Sequence, residues 1–63
     1  MSYDAFCERV DAFAKRSGAH AVISHEDGKH IARCSDGVVL TANTISRIIT
    51  VMWGSGHVST VTI

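Results

Sequence analysis

Proline is absent from this 63-residue chain, and aromatic residues make up only 6% of it: one Trp, one Tyr and two Phe. Without proline, and with no lysine beyond residue 29, the later strands would lack two common devices that keep sheet edges from pairing. Six basic residues cancel six acidic ones, which argues against a binder that depends on neutralising phosphates. No apolar run approaches the roughly 18 residues of a membrane span. The first residues also lack the basic-then-apolar pattern of a signal peptide. The expectation is a soluble, cytoplasmic chain forming one domain, 1–63. A domain this short removes only about 60% of its extended surface on folding, so its stability margin is thin. Disulfides, a metal or association are the usual supplements.

What charge there is lies at the front. Residues 1–36 hold all six acids and five of the six bases, and residues 37–63 carry Arg47 alone. More than half of those last 27 residues are Val, Ile or Thr, which suit a pleated surface better than a helix.

Residues 3–17 carry the strongest helical pattern. Tyr3, Phe6, Cys7, Val10, Phe13 and Ala14 fall on one stripe, with charged residues opposite. Ser2 is a good N-cap, Asp4 suits the first turn, and Lys15 and Arg16 suit the last. Asp11 and Lys15 form a favourably ordered i, i+4 pair, and Gly18 ends the helix. Core packing accounts for this stripe better than a ligand box does.

Residues 20–25 and 29–35 form a hairpin around Asp27-Gly28, the pair a type I′ turn prefers. A two-residue loop there sets Glu26 against Lys29, His25 against His30, and Ile23 against Ala32. Ala21, Ile23, Ala32 and Cys34 then share the face on which the helix sits. Asp36-Gly37 starts another tight turn, into a strand over 38–42. Residues 44–53 fit both a helical stripe and a strand. Their β-branched content, and Gly54-Ser55-Gly56 before the similar run 57–63, favour a hairpin. The expected fold is α+β: one N-terminal helix packed on a mainly antiparallel sheet of about five strands. A helix over 44–53 gives the alternative order αβββαβ. One helix covers one face, so Val22, Ile31, Leu40 and some of Ile48, Met52 and Trp53 are left on the other. That surface is expected to be covered by a partner or by a second copy of the chain.

The candidate chemistry is sparse. His25 and His30 are cross-strand neighbours beside Glu26 and Asp27, and imidazoles with a carboxylate are common metal ligands. A structural zinc site takes four ligands, however, and no other group is placed. Solvated hairpin-tip histidines are therefore expected, with no metal site assigned and no cofactor implied. Cys7 and Cys34 could approach closely enough to pair, but two reduced, buried thiols are the preferred reading. Gly54-Ser55-Gly56-His57 has neither phosphate-loop spacing nor a carboxylate for a serine triad.

With no catalytic set, the chain reads as a small non-enzymatic module that binds a larger protein. The residues expected to carry that contact are Trp53, Arg47, His57, Thr60 and Arg33, with a homodimer through the uncharged sheet as a further possibility. By analogy of size and class alone, inhibitors encoded by phages and mobile elements, anti-CRISPR proteins among them, work in this way. The alternative is a small dimeric nucleic-acid-binding regulator using Arg33, Arg47 and the helix bases.

Overall fold

The computed structural model describes Met1 to Thr62. One helix, α1 (Tyr3–Ser17), precedes five strands: β1 (Ala21–Glu26), β2 (Lys29–Cys34), β3 (Val39–Asn43), β4 (Ile48–Met52) and β5 (Val58–Thr62). The strands form a single antiparallel meander in the order β1-β2-β3-β4-β5. Strand thus prevails at residues 48–52, and the alternative with a second helix is excluded. Ile63, the last residue of the expected final strand, lies outside the described residues.

Local signals set the ends of α1. The Ser2 hydroxyl accepts the Ala5 N–H at 3.2 Å. Gly18 takes a left-handed conformation (φ 69°) in which its N–H returns to the carbonyls of Ala14 and Lys15. Lys15 and Asp11 form the expected pair at 3.0 Å. Phe6, Val10 and Ala14 are buried, whereas Cys7 and Phe13 are half-buried and Tyr3 is 47% exposed. The first member of the stripe therefore lies outside the core, with its ring against that of His30.

The first hairpin follows its turn. Asp27 (φ 50°) and Gly28 (φ 71°) occupy the two positive-φ positions, and the pairing from Ala21↔Cys34 to Glu26↔Lys29 is as expected. The second Asp-Gly builds a different loop. Cys34 N–H donates to Val38 C=O and Gly37 N–H donates to Cys34 C=O, enclosing the three residues Ser35, Asp36 and Gly37. Only Gly37 has a positive φ there, 91°. The odd loop length fixes which side of the sheet each following residue faces. Arg33 pairs with Val39 and Ala32 with Leu40, so Leu40 turns inward and is buried. Gly54-Ser55-Gly56 repeats the arrangement: Trp53 N–H donates to His57 C=O, Gly56 N–H donates to Trp53 C=O, and Gly56 has φ 92°. Trp53 consequently follows Ile49 and Val51 onto the inner side, where it packs half-buried against the core. Leu40 thus leaves the outer face expected for it, whereas of Ile48, Met52 and Trp53 the first two stay there, as the expectation allowed.

Phe6 and Val10 of α1 meet Ala32, Cys34, Leu40, Ala42, Ile49 and Val51 from the inner face. The outer face has no covering layer among the described residues. Register places Val22, Arg33, Val39, Met52 and Val58 in one row across it, and Ser24, Ile31, Thr41, Thr50 and Thr60 in the next.

Candidate protein-binding surface

The helix sits nearest β1 and β2. Between α1 and β3 to β5 runs an apolar groove of about 160 Å³, whose base residues Leu40, Ile49 and Val51 are buried and whose mouth is exposed at Val61. Leu40, Ile49, Val51 and Val61 floor it, with Phe13, Arg9 and Arg16 on the helical lip. Positions 9, 13 and 16 share one helical side because they are spaced by four and three residues. No acid among the described residues lines the groove. Among the described residues neither arginine has an ion-pair partner. Guanidinium groups beside aliphatic carbon can hold carboxylates through paired hydrogen bonds next to an apolar surface.

The groove opens at β5, one of the two edge strands of the sheet. Its outward residues Val58, Thr60 and Thr62 are exposed, as is Val61 on the groove side. None of them carries charge. A strand edge of this composition retains unpaired backbone donors and acceptors and has no side chain that discourages another strand from pairing.

The five residues expected to form the contact are not brought together. Trp53 and His57 flank the last loop, with ring centroids 5.3 Å apart, and Trp53 also approaches Phe13 at 6.5 Å. That makes Trp53 a wall at one end of the core with part of its ring exposed. Thr60 and Arg33 lie on the outer face, on β5 and β2. Arg47 precedes β4, at the opposite end from Trp53. Arg9 and Arg16, read from the sequence as part of a solvated helix face, are the cations that meet the apolar groove. Helical spacing relates them to Phe13, but nothing local places α1 to one side of the sheet.

The histidine pair also departs from expectation. His30 is 3% exposed, the one buried polar residue among the described residues, between the rings of Phe6 at 5.4 Å and Tyr3 at 5.7 Å. Its Nδ1 lies 3.0 Å from Nδ1 of the exposed His25, and its Nε2 lies 3.1 Å from the Met1 carbonyl oxygen. The Met1 amino group in turn donates to the carbonyls of Thr44 at 2.7 Å and Ser46 at 3.0 Å. Residue 30 is therefore a packed junction between α1, the first hairpin and the β3–β4 link, and only His25 remains solvated.

Cys7 and Cys34 are both free, Cys34 buried and Cys7 half-buried. Burial, followed by the charge of Asp36, pushes the Cys34 thiol above its ordinary value. The Tyr3 phenol is raised as well, first by its hydrogen bond with the Cys7 side chain and then by the Cys7 charge. Because folded Cys34 holds its proton more tightly than the unfolded thiol, its stabilising contribution is complete below the ordinary thiol value. That contribution is lost as pH rises through the raised folded value. Iodoacetamide at neutral pH is expected to label Cys7 in the native protein and to reach Cys34 only on unfolding. Mass spectrometry of the labelled peptides with and without urea checks this.

No helix among the described residues is long and apolar enough to cross a membrane. No protein-family model, curated protein or solved structure matches this chain.

Proposed function

We propose that this protein is a small non-enzymatic binding module that occludes a surface of a larger protein, acting as an inhibitor or regulator. What supports the reading is the β3–β5 side, where an apolar groove, two arginines without an ion-pair partner among the described residues, and an uncharged edge strand adjoin one another. Aliphatic burial supplies affinity, at roughly 25 cal/mol per Å² before the costs of association. The free edge supplies backbone hydrogen bonds, and the arginines select a partner segment bearing carboxylates. In this reading the protein is cytoplasmic, where thiols such as Cys7 and Cys34 stay reduced.

The dimeric nucleic-acid alternative has less to support it. Arg33 is on the outer face, Arg47 is at the far end of β4, and Arg9 and Arg16 are on the helix, so the cations form no continuous stripe.

Light scattering on the purified chain, followed by affinity capture from its native cells, tests the proposal. The expected result is one protein species retained in stoichiometric amount and resistant to salt. A monomer that retains nothing overturns it. A mass of two chains with no other protein retained replaces the larger partner with a second copy.

A further inference from the structure

The His25–His30 pair has an arrangement that proposed function leaves unused. The Met1 carbonyl oxygen can only accept, so His30 Nε2 carries the proton and donates to it at 3.1 Å. In neutral His30 this leaves Nδ1 as an acceptor, in a ring held by Phe6 and Tyr3, and the His25 Nδ1–H donates to it at 3.0 Å. A ring N–H tied to a carbonyl while the other nitrogen is free is the usual outer support of a metal-ligating histidine. His25 Nδ1 stands 3.0 Å away on an exposed, adjustable ring.

Around a first-row ion with bonds of about 2.0–2.1 Å, two nitrogens at a right angle lie about 2.9 Å apart, and at the tetrahedral angle about 3.3 Å. The observed 3.0 Å is the length of the hydrogen bond the two rings share, and it is near enough to both values that a swing of the exposed His25 ring would seat an ion. No third His, Cys, Asp or Glu joins the two among the described residues, so water fills the remaining positions. Two imidazoles completed by water suit Ni²⁺ and Cu²⁺, whereas a structural Zn²⁺ site takes four protein ligands.

We propose that His25 and His30 form a two-imidazole chelate for a divalent ion of the Ni²⁺ or Cu²⁺ class, bound through the two Nδ1 atoms at the tip of the first hairpin. Binding needs no net release of protons: the His25 hydrogen moves from Nδ1 to Nε2 through solvent, and the lone pair it exposes turns to the ion. The bound ion joins β1 to β2 beside the Met1 junction, so it stabilises the folded chain.

Ni²⁺ is the probe, because Cu²⁺ can oxidise the two thiols. Equilibrium dialysis of the full chain at pH 7.5 is expected to give one Ni²⁺ per molecule. Saturating Ni²⁺ is expected to raise the melting temperature by about 5 °C or more. His25→Asn keeps an amide that can donate to His30, and His25→Ala removes the group from an exposed position. Both variants, once shown by circular dichroism to be folded, are expected to lose the bound ion and the shift. A His20→Ala/His57→Ala double variant is expected to keep both. Absence of binding by the wild type, or binding that survives in the His25 variants, overturns the assignment.

Discussion

Val61→Asp and Thr60→Lys are each expected to weaken partner binding about a hundredfold, or about 2.8 kcal/mol, while leaving the helical circular dichroism unchanged. Val61 lies on the groove floor and faces the helical lip that carries Arg9 and Arg16. An aspartate there removes apolar surface and supplies a carboxylate to the arginines from within the molecule, so a partner's own acids meet occupied guanidinium groups. Thr60 works differently. It is exposed at the middle of the free edge strand, where a lysine obliges an incoming strand to bury a charge. Both positions are open in the isolated chain, so neither change is expected to shift stability by more than about 0.5 kcal/mol. Affinity measured by calorimetry against the captured partner, or by dilution light scattering for a self-dimer, reads the result. Unaltered affinity in both variants would remove the groove and the edge from the contact.

Phe6→Ala is expected to leave the chain largely unfolded. The side chain is 0% exposed, at the centre of the cluster formed by Val10, Ala32, Leu40 and Val51 and against the ring of His30. Truncating a buried Phe to Ala costs about 3–5 kcal/mol, and a domain of this length holds roughly 3–9 kcal/mol in all. The loss therefore rivals the whole margin. Ile45→Ala is the matched control, since Ile45 is 90% exposed and its truncation is expected to stay within about 0.5 kcal/mol. Urea melts followed by circular dichroism distinguish the two. A cooperative transition for Phe6→Ala at nearly the wild-type midpoint would mean that the core rests on other residues.

Much of the fold is legible because the signals that form it are local. Ser2, Gly18 and the Asp11–Lys15 pair bound a helix that its apolar stripe already announces. Asp27-Gly28 fixes the first hairpin because a two-residue turn admits one register. The β-branched run and the glycine loop mark 48–62 as a second hairpin. The loop at Ser35-Asp36-Gly37 is where local reading fails. Both a two-residue and a three-residue turn accept Asp-Gly, and the choice reverses every later side chain. The three-residue form is the one that carries Leu40, Ile49 and Val51 inward to meet Phe6.

Residues 44–47 show the same limit from another side. Their β-branched content suits a strand, but the carbonyls of Thr44 and Ser46 are taken by the Met1 amino group, more than forty residues away in sequence. The amino acids alone settled the helix, the first hairpin and the unionised back of the chain, since each depends on neighbours within a few positions, while they favoured strand over helix at 44–53 without excluding the helix. Only the folded arrangement decided that His30 is interior and that Arg9 and Arg16 border an open groove. Both depend on where α1 comes to rest across the sheet. That placement follows from side-chain volumes meeting in three dimensions, which no short stretch of sequence encodes.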